Sequence, residues 1–174
     1  RELSVEFVGA TIGRPPLGGE HFMIYFSEVT NKNILDVINL TVDESQKEYV
    51  AENAVSLAEA YATRNEGNIA LPYAVYDDEL LVGFVMIGYG TVGDDEEPPI
   101  FKDNYILWRL MIDKQFQGKG YAKHILDKVC DLVKKEPCGK YHCLLVSYEK
   151  ENIRGRNVYL KYGFHETNII CGEE

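Results

Sequence analysis

The apolar residues of this chain fall into short unbroken runs and into longer stretches with helical spacing. The runs are typical of buried strands and cover residues 22–26, 70–76, 80–89, 105–112 and 141–148. A helix is predicted over residues 121–135, whose inward face would hold Ala122, Ile125, Leu126, Val129, Leu132 and Val133. Another is predicted over residues 152–162, because Gly163 tolerates the left-handed backbone that often follows a helix.

A further helix is predicted over residues 43–64, with Thr41 or Asp43 as its cap. Its apolar face would hold Val50, Ala54, Leu57, Ala58 and Tyr61. Its opposite face would carry an acidic stripe formed by Glu44, Glu48, Glu52 and Glu59. Residues 33–40 fit either a short helix or the end of a strand.

The order of these elements predicts an α+β fold. Asp77-Asp78-Glu79 separates two strands and indicates an antiparallel hairpin, while a strand–helix–strand unit near the middle of the chain indicates one parallel pair. A last strand is predicted over residues 164–171. We assign residues 1–20 to an irregular N-terminal arm, with a short strand allowed at 3–8, and residues 21–174 to a single domain.

Composition narrows the classes of partner. The 174 residues carry a formal net charge of −10 without a basic stripe, so we expect no nucleic-acid partner. The negative charge favours cationic partners. The alternative is that the charge serves only to keep the protein soluble. No run of about 18 apolar residues occurs, so no membrane span is expected. The four cysteines lack the spacing of a zinc site, so we expect no metal, and reduced thiols in a cytoplasmic protein.

The sequence Gln115-Phe116-Gln117-Gly118-Lys119-Gly120 lies between a predicted strand and a predicted helix. Glycine lets the backbone approach a ligand closely, and the helix start adds a positive dipole end. The amides of Gln117, Gly118, Lys119, Gly120 and Tyr121 can then point into one concavity that suits a pyrophosphate. A plain structural turn is the alternative.

Two separated motifs resemble those of the GNAT superfamily of N-acetyltransferases. The loop at 115–120 is similar to the family's coenzyme A pyrophosphate loop, and residues 152–164, which end in Tyr-x-x-x-Gly-Phe, are similar to its late helix. The resemblance covers roughly residues 23–171 and implies a mixed, mostly antiparallel sheet flanked by helices. It also implies that the strands at 105–112 and 141–148 splay apart and that pantetheine lies in the gap.

The resemblance implies acetyl-CoA as co-substrate and assigns residues to it. The main chain of Leu110, Met111 and Ile112 would contact pantetheine or the thioester oxygen. The pyrophosphate would be held by Gln117, Gly118, Lys119, Gly120, Tyr121 and Ala122. Asn152 would lie near the coenzyme, unless it only caps its helix, and Lys161 would bind a phosphate, unless it is only a solvated side chain.

Tyr159 is the candidate catalytic acid. A phenol keeps its proton at neutral pH and can donate it to a departing thiolate, and the resemblance puts a tyrosine in this role; simple packing is the alternative. Trp108 stands where some polyamine acetyltransferases carry a glutamate base. Glu149 and Asp113 are weak substitutes for that base, and proton loss through ordered water is equally plausible.

The acceptor is predicted to be a small cationic amine. Residues 42–50, 56–60 and 107–120 resemble bacterial spermine/spermidine acetyltransferases, which implies a polyamine. Acidic and aromatic groups would select it, and the substrate-binding candidates are Glu48, Glu52, Trp108 and Glu149. A second acidic cluster is Asp94-Asp95-Glu96-Glu97. Further aromatic side chains that could line the amine site are Tyr49, Tyr61 and Tyr73. Three alternatives stay open: an acetyltransferase for another amine, a non-catalytic module that binds the coenzyme, and a nucleotide-binding protein of another fold. The sequence also allows a homodimer.

Overall fold

The computed structural model describes residues 2–4, 22–90, 99–167 and 169–170. The strands of the described part are β1 (Glu2–Ser4), β2 (Ile24–Glu28), β3 (Ile69–Asp77), β4 (Leu80–Tyr89), β5 (Tyr105–Ile112), β6 (Leu144–Tyr148) and β7 (Ile169–Ile170). The α-helices are α1 (Ile34–Asn39), α2 (Asn53–Asn65), α3 (Tyr121–Val133) and α4 (Ile153–Tyr162). Short 3-10 turns occupy Glu44–Gln46 and Pro99–Phe101.

The strands form one sheet in the order β2-β3-β4-β5-β6-β1-β7. Among the described strands, β5 and β6 are the one parallel pair, and α3 makes the connection between them. β3 and β4 form the predicted hairpin around Asp78 and Glu79. The predicted α+β class, with a mixed and mostly antiparallel sheet flanked by helices, is confirmed. None of the helices in the described ranges is long and apolar enough to cross a bilayer.

The core lies on both faces of the sheet, because alternate residues of a strand point to opposite sides. Val85 of β4 belongs to a buried cluster that includes Ile125 of α3. Its neighbour Phe84 belongs to a second cluster with Val37 of α1 and Ala60 of α2. The sheet is therefore covered by α3 on one face and by α1 and α2 on the other.

β5 and β6 separate halfway along β5. Their pairing begins at Tyr105 and Leu144 and ends at Leu107 and Val146, although β5 continues to Ile112. On its other side β6 pairs with β1, so the sheet continues past the gap. The gap leaves one edge of the second half of β5 without a partner strand among the described residues. The splayed pair implied by the resemblance is thus present.

A bulge accompanies the separation. The residues on either side of Trp108 pair with Met86 and Ile87, which are consecutive in β4, so Trp108 is an extra residue on β5. A bulge bends the strand that carries it, and this one lies where β5 leaves β6. The indole of Trp108 packs over Gly88, where an added Cβ would come within 2.7 Å of the ring atom Cε2.

The predicted helix over residues 43–64 is wrong in its first half. The chain makes a 3-10 turn at Glu44–Gln46, and α2 begins only at Asn53. Its buried residues are Asn53, Ser56 and Ala60, while Tyr61 is 70% exposed. Within α2 the predicted apolar face is therefore wrong except at Leu57, which packs against the second buried cluster. The reason is polar packing, since Asn53 Nδ2 donates to the carbonyl of Val37 (2.8 Å), a contact that hydrophobic periodicity does not detect.

The other predicted strands and helices agree with the structure within a few residues at their ends, except the last strand, predicted over 164–171, of which the described residues form a strand only at Ile169–Ile170. Of the two alternatives for residues 33–40, the structure shows the helix, α1. Cys130 is a free thiol buried in the core. In the N-terminal arm, residues 2–4 form strand β1 inside the sheet, and this range overlaps the short strand allowed at 3–8. Most of residues 1–20, the acidic cluster 94–97 and Cys171 lie outside the described residues.

We predict that Gly88→Ala lowers the free energy of unfolding by about 1–3 kcal/mol, because the added methyl group meets the Trp108 ring and overpacks the bulge. Urea denaturation followed by circular dichroism measures the change. Combining it with Trp108→Phe, which removes the ring atoms in conflict, should cost less than the sum of the two single changes. Strict additivity would show that Gly88 does not confine the indole.

Candidate active site

A cavity of about 350 Å³ opens where β5 and β6 separate. Its walls come from β5, the loop 116–120, the first turn of α3, the end of β6, α4 and the segment 42–50. The lining residues are Val42, Gln46, Tyr49, Val50, Trp108, Arg109, Leu110, Met111, Ile112, Phe116, Gln117, Gly118, Gly120, Tyr121, Ala122, Ser147, Tyr148, Asn152, Arg154, Gly155, Val158 and Tyr159. The two motifs that are distant in sequence therefore meet in one cavity.

The glycine loop has the geometry of an anion cradle. Gly118 and Gly120 adopt left-handed backbone conformations, with φ of +75° and +90°, which other residues adopt only with strain. A Cβ at either position would meet nothing within 4 Å, and both residues line the cavity. In the described part of the chain, no hydrogen bond involves the amide nitrogens of Gln117, Gly118, Lys119 or Gly120. These amides, beside the start of α3, can bind a diphosphate.

The side chains of Asp113 and Gln117 hold the loop in place through hydrogen bonds to the main chain. Asp113 is 3% exposed; its Oδ1 accepts from the Gln115 amide and its Oδ2 from the Thr41 amide, both at 2.9 Å. Gln117 Nε2 donates to the Ile112 carbonyl at 2.9 Å. The sequence offers Asp113 as a weak candidate for the base, but both of its oxygens accept from main-chain amides, so its role here is to hold the loop.

Tyr159 lies on α4 with its ring between those of Tyr148 (centroids 6.2 Å apart) and Phe164 (5.7 Å). It is 9% exposed, and burial raises its pKa to about 12. Its hydroxyl has no hydrogen-bond partner within the described ranges, although the residue lines the cavity. The phenol is therefore protonated at neutral pH and available to a group inside the cavity.

The start of α4 is capped as predicted. The Oδ1 of Asn152 accepts from the Gly155 amide at 2.8 Å. A Cβ at residue 155 would lie 2.8 Å from Nδ2 of Asn152, so glycine is needed there for the cap to form. Asn152 also lines the cavity, so capping and a position near the coenzyme are compatible.

A hydrogen-bonded group that sequence reasoning missed supports the Tyr159 ring. The Tyr148 hydroxyl donates to Oε1 of Glu166 at 2.6 Å, and Arg156 donates to both oxygens of Glu166 at 2.7 and 2.9 Å. The hydrogen bonds from Arg156 and then Tyr148 lower the pKa of Glu166 to about 2. Glu166 lies in the irregular segment after α4, where no sequence pattern connects it with Tyr148.

Arg109 is a second cavity residue that the sequence did not indicate. Its side chain is 14% exposed and pairs with Glu59 of α2, Nη2 to Oε2, at 2.7 Å. Its Nε donates to Ser56 Oγ at 3.2 Å, and its Nη1 donates to the Trp108 carbonyl at 3.0 Å. These bonds attach α2 to the bulged part of β5. Glu59, one member of the predicted acidic stripe, is therefore paired with Arg109, although its own side chain is 46% exposed.

The predicted site residues divide into two groups. Those that line the cavity are Trp108, Leu110, Met111, Ile112, Gln117, Gly118, Gly120, Tyr121, Ala122, Asn152 and Tyr159. Those that do not line it are Lys119, Lys161, Glu48, Glu52 and Glu149. Lys119 stays near the mouth, because its Nζ lies 5.4 Å from the centroid of the Phe116 ring. Of the other aromatic candidates Tyr49 lines the cavity, whereas Tyr61 and Tyr73 do not.

Comparison with known proteins agrees with this geometry. The profile of the Acetyltransferase (GNAT) family matches residues 34–164. The spermine/spermidine N(1)-acetyltransferase of Bacillus subtilis (strain 168) is 28% identical over 144 residues, which cover 81% of this chain and 87% of that protein.

Solved structures share the fold. An aminoglycoside N-acetyltransferase in complex with coenzyme A superposes with a TM-score of 0.61 at 15% identity, covering 92% of this chain and 98% of its own. An aminoglycoside antibiotic N-acetyltransferase from Acinetobacter haemolyticus gives a TM-score of 0.58 at 14% identity, covering 87% and 96%.

The chain belongs to the GNAT family of acetyltransferases. It is accordingly an acetyl-CoA-dependent N-acetyltransferase, as the two sequence motifs indicated. The unpaired loop amides and the free edge of β5 are groups that fit this co-substrate, because it presents a diphosphate and two amides.

We predict that Gly120→Val raises the Kd for coenzyme A at least tenfold, since its side chain would enter the cradle and strain the left-handed backbone. Isothermal titration calorimetry measures it. Gly67→Val is the matched control, because Gly67 also has a left-handed backbone (φ +84°) and open space but lies outside the cavity lining. Equal affinity losses in both variants would assign the effect to general destabilisation and not to the cradle.

Proposed function

We propose that this enzyme transfers the acetyl group of acetyl-CoA directly to a primary amine of a polyamine such as spermidine or spermine. The observation that carries the proposal is the presence, in one cavity, of an amide cradle for a diphosphate, a free strand edge and a protonated phenol. The polyamine is supported by the 28% identity to the Bacillus enzyme over most of both chains.

Different parts of the cavity bind different parts of acetyl-CoA. The amides of residues 117–120 hold the diphosphate. The edge of β5 from Leu110 onward has no partner strand among the described residues and binds the pantetheine amides as an added strand would, although the Ile112 carbonyl already accepts from Gln117. A main-chain N–H of Leu110 or Met111 stabilises the negative charge that develops on the thioester oxygen. Acetyl-CoA itself supplies the acetyl group as an activated thioester.

Tyr159 acts as the general acid. As the amine nitrogen bonds to the acetyl carbon, the carbon–sulfur bond breaks and the sulfur takes the phenolic proton. The nitrogen loses one proton in the same reaction, so solvent can return a proton to Tyr159. The neighbouring Tyr148, held by Glu166, keeps the Tyr159 ring in place.

A polyamine can use two different surfaces of the protein. Its reacting end would enter between Trp108 and Tyr49, both of which line the cavity. Glu48 and Glu52 are exposed in or just after the segment 42–50 and can attract the distal ammonium groups from outside the cavity. Attraction at this distance steers the substrate and weakens with salt.

Thiol release with a panel of acceptors tests the proposal. Purified protein with acetyl-CoA should release free thiol with spermine and spermidine, and the acetylated polyamine should be found by mass spectrometry. Faster release with an aminoglycoside, an amino acid or a peptide amine would retain the acetyltransferase and replace the acceptor. Tight coenzyme A binding without thiol release for any amine would indicate a non-catalytic binding module.

We predict that Tyr159→Phe lowers kcat by about 10²-fold or more and leaves coenzyme A affinity nearly unchanged, because only the proton donor is lost. Steady-state thiol release and calorimetry measure the two quantities. Tyr162→Phe is the matched control: it removes a hydroxyl from the same helix, but one that donates to Asp127 outside the cavity lining. Wild-type turnover in Tyr159→Phe would exclude the acid role.

The pH profile gives an independent test. Because burial raises the pKa of Tyr159 to about 12, its proton is retained well above the ordinary tyrosine value. We expect kcat to rise with pH as the acceptor amine deprotonates and to show no descending limb below about pH 10. Circular dichroism at each pH separates activity from unfolding. A fall to half-maximal rate at about pH 9 with the fold intact would contradict the raised pKa.

A further inference from the structure

The side-chain oxygen of Gln46 is buried at the cavity and has no hydrogen-bond donor among the described residues. A buried acceptor without a hydrogen bond destabilises the protein that contains it. Within the described ranges one other buried side-chain atom shares this property, the Oε1 of Gln117, and it lines the same cavity. Neither oxygen has a donor in the described part of the protein, and both belong to residues that line the cavity.

Gln46 is held by its own segment. Its amide donates to the Asp43 carbonyl at 2.8 Å, and its carbonyl accepts from the amides of Tyr49 and Val50 at 3.0 and 3.1 Å. The segment is connected to the glycine loop, because the Lys114 amide donates to the Thr41 carbonyl at 2.8 Å. Gln46 is thus a positioned acceptor on the wall that Tyr49 and Val50 complete.

The ionisable residues that line the cavity are tyrosines and arginines. Among the described residues no carboxylate lines the cavity, whose ionisable members are Tyr49, Arg109, Tyr121, Tyr148, Arg154 and Tyr159. Of the nearby carboxylates, Glu44 pairs with Lys47 (2.6 Å) and Asp113 is bound to two amides. A bare ammonium group would find no counter-charge there, and desolvation favours its neutral form.

We propose that Gln46 is the acceptor-binding residue, and that its side-chain oxygen accepts an N–H of the incoming amine in the uncharged form. The bound amine gives up its extra proton to water before its nitrogen reaches Gln46, so the enzyme needs no general base. This explains why Trp108 is tolerated where a base was expected. The neutral amine keeps its lone pair for the acetyl carbon while one N–H bonds to Gln46. The inference rests on the proposed amine acetylation.

Gln46→Glu gives the decisive comparison. A carboxylate at this position stabilises the ammonium form, so we expect kcat at pH 7 to fall at least fivefold and the midpoint of its pH profile to move upward, while KM for the amine does not rise. If the enzyme instead needed a general base and lacked one, the new carboxylate would supply it and the rate at pH 7 would increase. Faster turnover by Gln46→Glu would therefore overturn the inference.

Gln46→Leu removes the acceptor without adding charge. We expect KM for the amine to rise at least fivefold with an unchanged pH midpoint, and wild-type kinetics in this variant would also overturn the inference. Ser45→Glu is the charge control, because it adds the same charge at an exposed neighbour outside the cavity lining and should leave the midpoint unchanged. An equal shift in Ser45→Glu would assign the effect to surface charge and reject the contact.

Coenzyme A affinity, measured by calorimetry, verifies that each variant is folded, and Gln46→Met replaces Gln46→Leu if the latter loses that affinity. The two proposals fail in different ways. Absence of thiol release by the wild-type protein with every amine would remove the proposed function. Normal release with unaltered kinetics in the Gln46 variants would remove only the role of Gln46.

Discussion

The separation of β5 from β6 is the constraint on which the site depends. Backbone N–H and C=O groups need partners, and the sheet supplies them to β5 on this side only as far as Leu107. The bulge at Trp108 comes at this point, and Gly88 gives the indole the space it needs. The resulting strand edge is a polar surface inside the protein, and a ligand made of amides can complete it as a strand would.

The coenzyme loop and the segment 42–50 are one connected unit. Asp113 accepts hydrogen bonds from the amide of Gln115, at the start of the loop, and from the amide of Thr41, the residue just before the segment, and a main-chain hydrogen bond from Lys114 to Thr41 adds a second link. A buried carboxylate with both oxygens satisfied is rigid, and removing it would leave two main-chain donors without partners. The wall that carries Gln46 and Tyr49 is therefore positioned by the same residue that shapes the turn before Gly118.

Sequence reasoning predicted most of the fold, because the strands and α3 depend on apolar periodicity, which is visible in the residues themselves. It also placed the glycine loop, Asn152 and Tyr159, whose roles depend on local geometry: left-handed glycines, a helix cap and a helix face. It failed over residues 43–52, where polar tertiary contacts such as that of Asn53 with Val37 decide where the helix begins. Arg109, Glu166 and the unpaired oxygen of Gln46 could not be predicted, since each acquires its role from residues distant in the chain.

The place of β1 has a consequence for synthesis of the chain. This strand lies between β6 and β7, and it pairs Ser4 with Val146 and Leu3 with Ile169. An exposed strand edge can recruit other polypeptides and cause aggregation. Residues 2–4 leave the ribosome long before β6, so a covering strand already exists when β6 is made. The edge of β6 beyond the cleft then meets a partner from its own chain as soon as it emerges.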